Sequence, residues 1–153
     1  MAADPQMPTI PKSKLKSRSQ SARTNKHSGA MHELTFMVEC MKRGWKVSVP
    51  VGEDSRYDVI VDTSKGLSRV QVKTCGTKDR GRFRIKAFYG SSKKSYTWKD
   101  CDILAAFVSP LNTWWIIPIN KLRSNSLDMS KNYHQYNSAW HLIGNENKYH
   151  RKK

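Results

Sequence analysis

Apolar positions along this chain change their period several times, and each change marks an element. From Gly29 onward, Ala30, Leu34, Met37 and Met41 fall at helical spacing, with Phe36 and Cys40 widening the stripe. This pattern predicts an amphipathic helix, which Gly44 ends just after the basic pair Lys42 and Arg43. Lys46 to Val51 predicts a short strand, closed by Pro50 and the polar loop 52–56. Tyr57 to Asp62 predicts a second strand, and Thr63 to Gly66 its turn. Leu67 to Thr74 alternates strictly: Val70 and Val72 face one way, and Arg69, Gln71 and Lys73 the other.

A basic loop at 76–82 leads to a fourth strand over Phe83 to Phe88, and a polar, basic stretch runs from Gly90 to Lys99. Ile103 to Val108 is almost wholly apolar, which predicts a central strand covered on both faces. Thr113 to Ile117 pairs with it across the turn 109–112, and Pro118 opens a helical turn through Arg123. Farther on, Tyr133, Tyr136, Trp140, Leu142 and Ile143 supply a closing segment. A helix followed by a run of strands predicts an α/β (α+β) domain built on one mixed sheet.

The two ends read differently. Met1 to Ser28 carries Pro5, Pro8 and Pro11, several serines and six basic residues against the single Asp4. Such a segment cannot bury enough surface to order itself, so 1–28 is read as a flexible basic arm for phosphate contacts or as a solubilising tail. The folded domain is then 29–147, and 148–153 is a second basic tail.

Charge narrows the function. Lys and Arg number 28 against 12 Asp and Glu, a formal net charge of +16. So large a surplus repels itself in the compact state, and a polyanion that releases counterions on binding is its natural partner. Nucleic acid fits; an anionic membrane is disfavoured because the chain has no long amphipathic basic stretch. Cys40, Cys75 and Cys101 are odd in number and widely spaced, which argues against a zinc site or a disulfide framework. They suit small core residues in a reducing compartment. With no apolar leader or span, the expectation is an intracellular protein of the cytoplasm or nucleoid, or of the host-cell cytoplasm if a phage encodes it.

Cutting a phosphodiester requires charge neutralised at the phosphate and a water made nucleophilic. A hard divalent cation does both and takes oxygen ligands, and a lysine adds stabilisation of developing charge. Asp58 on one strand, Gln71 and Lys73 two apart on the next, and Glu33 on the helix form such a set. Taken alone, Arg69 to Lys73 also fits an ordinary half-exposed strand. Glu39, Glu53, Asp54 and Asp62 are alternatives to Glu33 as the outer acid. His134 and His141 show no ligand spacing.

The run Arg56 to Asp62, followed by Arg69-Val70-Gln71-Val72-Lys73-Thr74, resembles the core of the PD-(D/E)XK nucleases. It is closest to their group I intron-encoded homing endonucleases, in which glutamine replaces the usual acid before x-Lys. Glu33, Lys42 to Val47, Pro50 to Ser55, Tyr96, Asp102 and Ile116-Ile117-Pro118 fit the same order, so the resemblance spans roughly Gly29 to Leu122. It implies a restriction-endonuclease-like mixed sheet flanked by helices, double-stranded DNA as substrate, and Mg²⁺ as cofactor with Mn²⁺ able to substitute. It assigns metal binding to Asp58, Gln71, the Val72 carbonyl and Glu33, and positioning of the attacking water to Lys73. Ser55, Arg56, Lys78, Arg80, Arg82, Lys93 and Lys94 become candidate DNA contacts. A long target further implies a homodimer or homotetramer. Two alternatives stay open: a Holliday-junction resolvase or repair-type nuclease, and a non-catalytic basic nucleic-acid-binding protein.

Overall fold

The structure, a computed structural model, describes residues 18–52 and 54–144, with side chains from His27 onward. One long helix, α1 (Arg18–Lys42), precedes a five-stranded mixed sheet of β1 (Lys46–Ser48), β2 (Val59–Thr63), β3 (Gly66–Cys75), β8 (Ile103–Val108) and β9 (Thr113–Pro118). The spatial order is β1-β2-β3-β8-β9. Only β3 and β8 run parallel; their neighbours on either side are antiparallel. Between β3 and β8 lie β4 (Lys78–Asp79), β5 (Arg82–Lys86), β6 (Phe88–Tyr89) and β7 (Lys94–Ser95), and β10 (Ser126–Asp128) follows the sheet. Among the described residues no helix is long and apolar enough to cross a membrane.

The helix starts well upstream of Gly29. Arg18 to Ser28, read from composition as part of a flexible arm, continues α1, while residues 1–17 and the tail 148–153 lie outside the described residues. The C-terminus of α1 matches its sequence signal. Gly44 has φ +77°, its N–H donates to the Met41 carbonyl, and Trp45 N–H reaches back to Cys40. This is a glycine-terminated helix end that satisfies the last carbonyls.

The buried face of α1 is not the stripe that spacing alone suggests. Phe36 and Cys40 are fully buried, whereas Leu34 and Met41 are 56% and 53% exposed. The aromatic ring decides the orientation, because it brings the most apolar area to bury. Phe36 packs 5.3 Å from the Trp114 ring and 5.8 Å from Trp140, and His32 sits 5.1 Å from Phe107. Around them Val59, Val61, Val70, Val72, Ile103, Ala105, Ile116 and Ile143 complete one core layer.

On the opposite sheet face, Leu104, Ala106, Trp115 and Ile117 are covered by Ile85 of β5, Leu127 of β10, Met129 and Tyr133. A small sheet, β10-β5-β4, thus closes this side, and the basic loop expected at 76–82 is its β4–β5 hairpin. β8 is buried at all six positions, as its apolar run requires. The three cysteines are buried and unpaired with one another.

Two carboxylates stand one residue ahead of their strands and bind the backbone of β3. Asp102, just before β8, accepts from Arg69 N–H at 2.8 Å and from its guanidinium at 2.8 and 3.1 Å. The same guanidinium donates to the carbonyls of Trp98 and Lys99, which fastens the 97–102 turn to the sheet. One residue earlier in β3, Gly144 N–H donates to the buried Ser68 hydroxyl at 2.8 Å. Gly144 has φ +85°, and a side chain there would collide with the Thr63 hydroxyl.

Asp102→Ala should cost about 3 kcal/mol in urea denaturation, the lower end for breaking a buried ion pair, since Arg69 keeps some solvent contact. A loss near zero would show that the clasp is ornamental to the fold.

Candidate active site

β3 is twice as long as β2, and the site follows from that mismatch. β2 pairs from Val59 opposite Val70 to Thr63 opposite Gly66. Beyond Val70, residues 71–75 pair only with β8, so the other edge of β3 is left without a strand. A bare edge leaves backbone N–H groups in need of acceptors. Asp58 supplies one. Its own N–H extends the ladder by donating to the Val70 carbonyl at 2.9 Å. Its Oδ2 then accepts from Val72 N–H at 2.7 Å and from Gln71 Nε2 at 2.6 Å.

Strand alternation places Val70 and Val72 in the helix-side core. Gln71 and Lys73 consequently turn to the other face, where Gln71 is buried and the Lys73 ammonium lies 5.5 Å from the Tyr96 ring centroid. Glu33 arrives from α1, which overhangs the free edge of β3. All four residues line one cleft of about 1060 Å³, together with Ser28, His32 and Val72. The structure therefore brings together Glu33, Asp58, Gln71, Val72 and Lys73.

Burial dominates the electrostatics of the two acids in this cleft. Burial pushes the Asp58 carboxyl above its ordinary range, against the hydrogen bonds from Val72 and Gln71 and the attraction of Lys73. Glu33 is also raised, first by burial and then by the Asp58 charge. Burial likewise holds the Tyr96 hydroxyl well above its usual value, so it stays neutral beside Lys73.

Among the described residues no group of three or more His, Cys, Asp or Glu side chains converges to hold a metal. The cleft offers two carboxylates, an amide and a backbone carbonyl instead. These are hard oxygen donors, and burial penalises the ionised form of both acids, with the Asp58 charge raising Glu33 further, so the set fits a hard divalent cation. Gln71 at present turns its amide nitrogen toward Asp58. Exchanging the amide's oxygen and nitrogen, which are nearly indistinguishable by shape, would add its oxygen to the donor set.

The other sequence candidates separate clearly. Glu39 is committed to Lys42 and Arg43, at 2.9 Å each; Asp54 and Asp62 are exposed outside the cleft, and Glu53 lies outside the described residues. Ser55, Arg56, Lys78, Arg80, Arg82, Lys93 and Lys94 are all exposed, and none lines the cleft. Arg56 stacks on Tyr89, Lys78 lies near Phe83, and Arg82 pairs with Asp128. The cleft does contain two cations that the sequence reading passed over, Arg84 and Lys86. Their signal was available: they alternate with the buried Ile85 along β5.

Comparison with known proteins identifies the family and the fold. A model of a family described as PD-(D/E)XK endonuclease matches residues 23–143. Among solved structures, the chain is similar to a bacterial homing endonuclease, I-Ssp6803I, with a TM-score of 0.70 and 21% identity. That match covers 84% of this chain and 98% of the other, and at this identity it speaks for the fold. No curated protein matches the sequence.

A carboxyl whose pKa is higher folded than unfolded binds its proton more tightly in the native state. Its ionisation therefore destabilises the fold, and stability is regained as pH falls toward the ordinary carboxylate range. In EDTA, Asp58→Asn should accordingly melt higher than wild type near neutral pH, and the gap should close on acidification. A lower melting temperature across that window would contradict the desolvated-carboxylate assignment.

Proposed function

The chain belongs to the PD-(D/E)XK endonuclease family, and from that premise we propose that it is a metal-dependent endonuclease that hydrolyses phosphodiester bonds in double-stranded DNA, of the homing type or a free-standing relative. The observation that carries this reading is the free edge of β3, where Asp58, Gln71 and Lys73 meet on one face with Glu33 across the cleft. An ordinary exposed strand gives no reason for a half-buried carboxylate to be held against a glutamine beside a lysine.

Each residue has a role that its position allows. Asp58 and Glu33 supply the charged oxygens of a cation site, and the Gln71 amide and Val72 carbonyl supply neutral ones. When bound there, a divalent cation contributes Lewis-acid stabilisation of the phosphate and lowers the pKa of a water. Lys73 projects from the same strand face, where its ammonium can orient the attacking water and counter the charge that develops on the phosphate oxygens. Tyr96 packs beside that ammonium and keeps bulk water from one side of it.

The net charge of +16 supports a duplex substrate. The outer surface of α1 supports self-association. Met31, Leu34, Val38 and Met41 are between 43% and 56% exposed, and their three-four spacing is that of a helix–helix seam. A homodimer or homotetramer pairing such seams would also present two clefts to the two strands of a duplex.

Lys73→Ala and Asp58→Ala should each lower Mg²⁺-dependent duplex cleavage by about 10²–10⁴-fold while still binding DNA. Wild type that cuts no DNA from a randomised duplex library with Mg²⁺ or Mn²⁺ would sink the proposal. Light scattering should show wild type larger than one chain and the double variant Leu34→Glu, Val38→Glu at one-chain mass. A monomeric wild type, with and without DNA, would rule out the oligomer.

A further inference from the structure

β5 runs Arg82-Phe83-Arg84-Ile85-Lys86. Ile85 is fully buried and belongs with Ala87 to the core beneath the small sheet. Alternation therefore turns Arg84 and Lys86 the other way, and both line the cleft that holds Asp58, Gln71 and Lys73. Residues two apart on a strand repeat about every 6.6–6.8 Å, so these side chains form a short row of positive charge lining the same cleft as the proposed cutting centre.

Arg84 has no close hydrogen-bonded partner: Asp128, opposite it on β10, feels its charge but makes its ion pair with Arg82. The Arg84 Nε is buried yet has no hydrogen-bond acceptor. The nearest carboxylate oxygen, on Asp79, is 3.6 Å away, and the Asp79 side chain is 67% exposed. That contact is too long for a hydrogen bond, and an ion pair so open to solvent is weak. A planar guanidinium with an unspent donor, beside a primary ammonium and on a wall of a cleft, is suited to the oxygens of a phosphate.

We propose that Arg84 and Lys86 form a phosphate-binding subsite of the cleft, gripping a phosphodiester next to the one that is cut, and that Asp79 is a weak surrogate that the phosphate displaces. This rests on the nuclease reading and deepens it. The grip sets where the strand lies relative to Lys73, so Arg84 and Lys86 are positioning residues. Asp79 opposes binding: it competes for the guanidinium and repels the incoming phosphate.

The test is binding of a fluorescein-labelled linear duplex to the full chain in EDTA, followed by anisotropy over a salt series. Each phosphate contact contributes about 0.9 to the slope of log K against log salt. Arg84→Met and Lys86→Met should each flatten that slope by about 1 and weaken binding, and Arg84→Lys should keep the slope while binding more weakly than wild type. Asp79→Asn should do the opposite of Arg84→Met and tighten binding. Near-UV circular dichroism on each variant confirms the fold. In cleavage assays with Mg²⁺, Arg84→Met should raise KM more than it lowers kcat.

Folded Arg84→Met and Lys86→Met proteins with wild-type slopes and affinities would overturn the subsite, as would an Asp79→Asn variant that binds more weakly than wild type. Either result with a wild type that binds and cuts duplex leaves the nuclease reading standing. A wild type that binds no duplex at low salt would overturn both.

Discussion

One hydrogen bond organises the cleft: the Val72 amide donating to the Asp58 carboxylate. A strand that outruns its neighbour leaves polar backbone exposed at the edge, and that backbone must find acceptors or water. Here the acceptor is a carboxylate placed one residue ahead of the shorter strand. The same atom receives the Gln71 amide, so a structural need of the sheet and the collection of a charged group at one point are met together. Asp102 repeats the device on the other side of β3, where Arg69 matches its charge. The contrast is informative. Where the cation is built into the protein, the carboxylate is finished as a structural clasp; at Asp58, burial outweighs the attraction of Lys73 and keeps the carboxyl above its ordinary range.

Much of this was legible in the chain. The apolar run of β8, the alternation of β3 and the glycine stop of α1 each follow from a single local rule, and each is found in the structure. The juxtaposition of Asp58 with Gln71 and Lys73 was also readable, because strand spacing fixes the face and a short turn fixes the pairing. The helix was harder. Periodicity could not choose between two rows of apolar residues on α1, and the choice went to Phe36 because two tryptophans from β9 and the closing segment surround it. Such long-range contacts leave no local trace. The upstream extension of α1 to Arg18 was missed for a related reason: a polar composition says little about helix once the segment continues one already nucleated.

The basic residues teach a different lesson. Lys78, Arg80, Arg82, Lys93 and Lys94 drew notice because they sit in polar stretches, yet the cleft is lined by Arg84 and Lys86, hidden within a strand. Density of charge marks a surface, whereas the strand period marks a direction. In a chain with a formal charge of +16, the second kind of information discriminates better, since basic residues are frequent throughout the sequence.

The contact between Gly144 and Ser68 has a practical corollary. It fastens the last described turn against the β2–β3 connection, at the end of β3 away from Gln71 and Lys73. At the usual rise per residue, Ser68 stands about 10 Å along β3 from Gln71 and about 17 Å from Lys73. α1, by contrast, carries Ser28 and Gly29 along the cleft wall itself. A fluorophore or affinity handle joined directly to Gly144 is thus held away from the cleft, while the same group placed at Ser28 stands on the cleft wall itself.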